Sequence, residues 1–120
     1  MGRLAVLVVV LYASILTPNL AMGADEPLKC DIGPIQKTYG KTQWVVYSCA
    51  DGRTVVIHSA PGNPAMPFYF MFFPREDGYR LYGEGTGRKE ATAAAHEELK
   101  TFSDEDIAAL ITQTKSGQKQ

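Results

Sequence analysis

The chain has few of the residues that usually announce a chemistry. Its 120 residues include two histidines, two cysteines and one tryptophan. The two cysteines and two histidines, Cys30, Cys49, His58 and His96, match none of the zinc-ligand spacings, so no metal site is expected. There is no Cys-x-x-Cys pair, the spacing that tunes a thiol for redox exchange. There is no Gly-x-Ser-x-Gly elbow, and neither cysteine has a base in its sequence context. The expectation is a protein that is not an enzyme and uses no cofactor. Charge of one sign is not in excess either. Twelve basic residues stand against 13 acidic ones, which gives no reason to expect nucleic acid or an anionic membrane surface. The chain lacks runs of like charge, Pro- or Gln-rich tracts and internal repeats, which excludes a disordered chain and a solenoid. Its length has room for one core and not for two.

Apolar residues are plentiful, at 45% of the chain, but unevenly spread. Met1-Gly2-Arg3 is a short basic start, residues 4–16 carry no charge, and Pro18 follows. Ala21-Met22-Gly23-Ala24 then supplies small residues at the exit. A basic start, a short apolar core and a small-residue exit are the parts of a secretory signal peptide. The apolar core falls short of the roughly 20 residues a bilayer requires. Residues 1–24 are therefore expected to be a signal peptide, cut after Gly23 or Ala24. No cysteine stands at the exit to take a lipid. The remaining chain has 11 basic and 13 acidic residues. It is expected in the periplasm or secreted, with no stable membrane insertion. There Cys30 and Cys49, an even pair in a short exported chain, are expected to form a disulfide. Closing that loop stabilises a domain by about 3 kcal/mol in the chain-entropy description.

Residues 25–115 read as one small domain, with residues 116–120 a polar tail. Residues 25–41 hold Gly33-Pro34 and Gly40 and few apolar side chains. They read as an irregular lead-in, with at most a short strand at 35–39. Residues 44–49 are β-branched and aromatic and read as a strand. Asp51-Gly52 is a strong hairpin signal, and 53–59 is the return strand. Residues 60–67 hold three prolines, a glycine and an asparagine, and read as a loop. Residues 68–73 are an unbroken apolar strand, Asp77-Gly78 closes a second turn, and 79–83 is the fourth strand. The first hairpin pairs Cys49 with Thr54, Tyr47 with Val56 and Val45 with His58. The second, turned on Asp77-Gly78, pairs Phe73 with Tyr82 and Arg75 with Arg80. Opposed residues share a face. One face then buries Trp44, Val46, Val55, Ile57, Phe68, Phe70, Phe72 and Leu81. The other carries Tyr47, Thr54, His58, Tyr69, Met71, Phe73, Arg80 and Tyr82.

Beyond residue 88 the apolar period lengthens from two to three or four, at Ala91, Ala94, Ala95, Leu99 and Phe102. This predicts a helix whose alanines allow close packing. Ser103 and Asp106 stand at capping-box positions, with Phe102 and Ile107 at the hydrophobic-staple positions. A second helix buries Ile107, Leu110 and Ile111 and ends at Ser116-Gly117. The expected fold is α+β: a four-stranded antiparallel meander followed by two C-terminal helices on one sheet face.

Gly83-Glu84-Gly85-Thr86-Gly87 precedes the first helix. Backbone amides there are a candidate anion site, with Gly85, Gly87, Arg88 and Lys89 as its residues. The spacing is neither the Rossmann fingerprint nor the P-loop. The alternative is a strand-to-helix turn. The same stretch, running on through Glu90, Ala91, Ala94, Ala95 and Leu99, resembles the end of a double-stranded-RNA-binding domain. On that resemblance Arg88 and Lys89 contact phosphates. Thr92 departs from the family's pattern, and the leading helix and the His-bearing loop of that family are missing. Nucleic acid is not an expected partner.

Asp104-Glu105-Asp106 stands where acids satisfy a helix N-terminus. Glu97 stands next to His96, but sequence neighbours on a helix do not face each other, and both His58 and His96 read as solvated surface residues. The face bearing Tyr47, His58, Tyr69, Met71, Arg80 and Tyr82 has the Tyr, Met and Arg content of interface cores. If it is open, it suits a protein partner or a second copy of the chain. If residues 25–41 lie over it, a small-ligand pocket between the two is the alternative.

Overall fold

Five segments with alternating apolar side chains form one antiparallel sheet in the computed structural model, which describes residues 27–118. The segment expected to be a signal peptide lies outside the described residues. The strands are β1 (Ile32–Tyr39), β2 (Thr42–Ser48), β3 (Val55–Ser59), β4 (Phe68–Arg75) and β5 (Gly78–Gly85). They stand in sequence order across the sheet. Two helices follow, α1 (Lys89–Leu99) and α2 (Asp104–Gln118). The fold is α+β, with the helices layered on one face of the sheet.

The expected four strands are five. Residues 32–39 are not an irregular lead-in but the edge strand β1, paired with β2 from Ile35↔Val46 to Tyr39↔Thr42. The apolar alternation in β1 is thin. Ile35 and Tyr39 point to the core and Lys37 shares their side, while Gln36 and Thr38 are exposed. An irregularity between Ile32 and Ile35 absorbs Gly33-Pro34. Neighbours supply the stability that the segment's own composition lacks. Gly117 of α2 lies against Ile35, and the β1–β2 turn lies against α1. At that turn Gly40 has φ +58°, and an added Cβ would collide with the backbone of Ala94 and Ala95. The Gly40 amide also donates to Glu98 Oε1 at 2.9 Å. A larger residue there would lift the hairpin off the helix.

The first hairpin has the expected register, with Tyr47↔Val56 and Val45↔His58. Its loop is longer than a two-residue turn. The Cys49 amide donates to the Thr54 carbonyl at 3.0 Å. Asp51 organises the loop, accepting from the Arg53 and Thr54 amides and from the Thr54 hydroxyl at 2.9, 2.9 and 2.6 Å. Partial burial pushes the Asp51 carboxyl up, but these bonds and the Arg53 charge outweigh it and the net shift is downward. Thr54, expected on the open face, is instead fully buried by this arrangement.

The second hairpin differs in register. Glu76 and Asp77 form its turn, so Arg75 faces Gly78 and Phe73 faces Arg80 rather than Tyr82. The slip is two residues, an even number, and therefore leaves every side chain on its expected face.

The core lies between sheet and helices. Trp44, Val46, Val55, Ile57 and Phe70 meet Ala95, Leu99, Ile107 and Leu110 there. The rings of Phe72 and Phe102 stack at 5.7 Å. Tyr39 shares this core, and its burial, with the nearby Glu98 charge, pushes its hydroxyl up to about 12. The capping box at the start of α2 is reciprocal. The Ser103 amide donates to Asp106 Oδ2 at 2.9 Å, and the Asp106 amide donates to Ser103 Oγ at 3.1 Å. The second helix does not stop at Ser116-Gly117 but runs to Gln118, so the start of the expected polar tail is helical. Cys30 and Cys49 form a disulfide. This fits an oxidising, exported environment. Among the described residues no helix is long and apolar enough to cross a membrane.

Candidate functional site

The face of the sheet away from the helices is built by the odd-numbered residues of β2 and β4 and the even-numbered residues of β3 and β5. One row across it runs Gln36, Val45, His58, Tyr69, Glu84. A second runs Tyr47, Val56, Met71, Tyr82, and a third places Phe73 beside Arg80. All six residues singled out from the sequence, Tyr47, His58, Tyr69, Met71, Arg80 and Tyr82, therefore lie on one side of one sheet. β1 sits beside β2 in the plane of the sheet and does not cross this face. Of the segment before β1, the described residues 27–31 meet the end of the first hairpin, where the Ala50 amide donates to the Lys29 carbonyl at 2.7 Å.

Aromatic contacts knit the face. The His58 ring lies 5.9 Å from Tyr47, edge-on, and 6.1 Å from Tyr69. Phe73 and Tyr82 meet edge to face at 6.4 Å, and are 39% and 44% exposed, large values for side chains of that size. The Arg75 guanidinium donates to the Tyr82 hydroxyl at 3.2 Å. Tyr69 donates its hydroxyl to Glu84 Oε1 at 3.3 Å. The desolvating surroundings of Tyr69, together with the Glu84 charge and that bond, push its hydroxyl up. Partial desolvation among the tyrosines pushes the His58 imidazole down, which favours its neutral form.

Glu84 and Phe73 belong to this face as much as the six do. Glu84 lies in the glycine-rich run, which the sequence offered as an anion site, and that obscured its place in a strand. At one end of the face a cleft of about 400 Å³ opens between the 60–67 loop and the end of β5. His58, Tyr69, Glu84 and Gly85 line it together with Met66, Pro67 and Phe68. Met66 is 51% exposed and carries no sequence pattern that would have singled it out.

The glycine-rich run has a different neighbour from the one first considered. The amides of Thr86 and Gly87 donate to the Pro67 carbonyl at 3.0 and 3.1 Å, and the Arg88 amide donates to the Pro64 carbonyl at 3.2 Å. Carbonyls of this chain thus fill the positions an anion would take. A Cβ at Gly87 would overlap the Ala65 carbonyl, and one at Gly85 would overlap that of Pro67. The glycines are needed for this close approach. Arg88 and Lys89 are exposed, and Arg88 lies 3.9 Å from Glu90. His96 is on α1, exposed, with its ring 6.2 Å from Phe70 and on the opposite side of the sheet from His58. Among the described residues no three of His, Cys, Asp and Glu are gathered as metal ligands. Comparison with protein-family models, curated proteins and solved structures finds no match for this chain.

Proposed function

We propose that this is a small exported, non-enzymatic interaction module that docks a protein partner on its open sheet face. Export rests on the signal-like N-terminal segment and is supported by the disulfide. The observation that carries docking is the exposure of Phe73 and Tyr82 beside Arg80, on a face that neither helix covers. Rigid aromatic side chains with a polar tip and an arginine are the residues that anchor protein interfaces, because they bury much area for little lost rotamer freedom. The partner belongs to the cell envelope or the extracellular space, and inhibition of an envelope enzyme is one form such docking takes. Mass spectrometry of native co-purifying material identifies the partner. Tyr69→Ala and Arg80→Ala are expected to weaken that association with the fold intact. If both variants leave every measured association unchanged, the face is not the docking site.

The cleft beside Met66 supports a second reading, a carrier of a small apolar ligand. It lies at the 60–67 loop rather than between the sheet and the N-terminal segment. A bound small molecule that survives dilution, and is released by Met66→Asp, would favour this reading over the first.

A further inference from the structure

The two edges of the sheet are not alike. β1 is guarded in the ways exposed edges usually are: an irregular register, Pro34 and Lys37, with the last turn of α2 against it. β5 has none of these. It is eight residues long, carries no proline or lysine, and pairs with β4 in unbroken register from Phe68↔Gly85 to Arg75↔Gly78. Burial also falls away towards it. On the helix side Val46, Val55 and Ile57 have no exposure, whereas Tyr79 and Leu81 are half-buried and Gly83 is exposed.

The direction of the free backbone groups follows from the turn. A two-residue loop is closed by a hydrogen-bonded pair, here Arg75↔Gly78, and such pairs alternate along an antiparallel ladder. Gly78, Arg80, Tyr82 and Glu84 therefore bond inward to β4. The Thr86 amide, two residues on, does donate to the β4 side, to the Pro67 carbonyl. Tyr79, Leu81, Gly83 and Gly85 are left with N–H and C=O groups aimed off the edge.

We propose that a second copy of this chain pairs antiparallel along β5, about a twofold axis at Tyr82. In that register Leu81 meets the partner's Gly83, and Tyr79 the partner's Gly85, so all four outward residues gain hydrogen-bonded partners. Tyr82 meets its own copy in a non-hydrogen-bonded pair, where side chains lie closest. Arg80 meets the partner's Glu84, and Glu84 the partner's Arg80. The edge is thus self-complementary in charge as well as in backbone, which a twofold interface requires. Among the described residues Arg80 has no ion pair of its own. The two five-stranded sheets become one of ten strands, and the half-buried seam of Tyr79 and Leu81 is covered. This pairing uses the strand edge and holds whether or not the open face takes another protein.

The test is mass in solution, by light scattering and sedimentation over a concentration series, with circular dichroism to establish that each variant is folded. The wild-type protein is expected to reach twice the chain mass. Arg80→Glu and Glu84→Arg each place two like-charge contacts at the seam, and are expected to weaken dimerisation at least about tenfold. Mixing the two variants one to one restores opposite charges at both contacts and is expected to give a heterodimer. The double variant, with the charges exchanged, is expected to dimerise with itself. A wild-type monomer at every concentration overturns the proposal. So does a wild-type dimer that neither single variant weakens, or a mixture that stays monomeric.

Discussion

Ser48 and Thr114 make a hydrogen bond across the sheet–helix interface at 2.7 Å, and neither residue is exposed to solvent. The proton count on this pair makes a sharp prediction. A hydroxyl has one hydrogen to give. Thr114 lies 2.7 Å from the Ile111 carbonyl, which can only accept, so the Thr114 proton goes there. Ser48 must then be the donor to Thr114. Thr114→Val is nearly isosteric and strands the Ser48 hydroxyl without an acceptor. A buried donor left unpaired costs about 1–3 kcal/mol. Ser48→Ala removes the donor instead. Thr114 keeps its bond to Ile111, so the loss is nearer the net value of one hydrogen bond, about 1 kcal/mol. Thr114→Val is therefore the more damaging of the two single changes. The double variant leaves neither group stranded and is expected to lose less than the sum, by about 0.5–2 kcal/mol. For a domain of this size each kcal/mol moves Tm by about 4–8 °C. Urea and thermal unfolding of the four proteins, all with the disulfide intact, measure the cycle. If Ser48→Ala is as harmful as Thr114→Val, or the two effects simply add, the assignment of donor and acceptor is wrong.

Further predictions follow from the loop, the face and the glycine-rich turn. Replacing both Cys30 and Cys49 by serine opens a link between residues 19 apart, and is expected to cost about 3 kcal/mol in urea unfolding. His58 is held below its usual pKa, so the folded state favours the neutral ring and binds fewer protons than the unfolded chain. Its contribution is complete above about pH 6.5 and fades as pH falls through the depressed folded value. Stability measured from neutral to mildly acid pH is expected to fall less steeply in His58→Gln than in the wild type; equal slopes would remove this role. Gly87→Ala drives a methyl into the Ala65 carbonyl and is expected to cost about 1–3 kcal/mol, whereas the same change at the open Gly62 leaves the space around it unfilled and is limited to backbone strain at φ +87°.

Much of the sheet was legible because period-two alternation is a strong signal wherever one face is buried. Trp44, Val46, Val55 and Ile57 all reached the predicted side, and the error in the second hairpin was harmless to the faces because it was an even one. Asp77-Gly78 misled because it is a favoured turn pair. Gly78 instead opens β5 at φ +132°, and Glu76-Asp77 makes the turn. The first strand was not legible for a different reason. Its segment contributes only Ile35 and Tyr39 to the core, and Gly33-Pro34 interrupts the pattern. Packing from β2 and from Gly117 of α2 decides its conformation, and a local reading of the segment has no access to either. The end of α2 is hidden for the same reason: Ser116-Gly117 reads as a stop, but Ile35 lies against Gly117 and the helix runs on to Gln118.

The same distinction changes how the glycine-rich run is understood. Three glycines before a helix suggest a backbone kept bare for a ligand. Here the backbone is bare for another part of the chain. The 60–67 loop is itself pinned. The Asn63 side chain donates to the Gln43 carbonyl at 2.5 Å and accepts from the Ala65 amide at 2.7 Å, and Ala65 is fully buried. That fixed loop presents the Pro64 and Pro67 carbonyls to the amides of residues 86–88, and Gly87 is what lets them approach. The consequence reaches the open face. Holding the loop against the end of β5 sets the position of Met66 and Pro67 beside Tyr69 and Glu84, and so forms the walls of the cleft. The glycine-rich run is the support of this cleft, and the groups proposed to meet a ligand or partner are its neighbours across the loop.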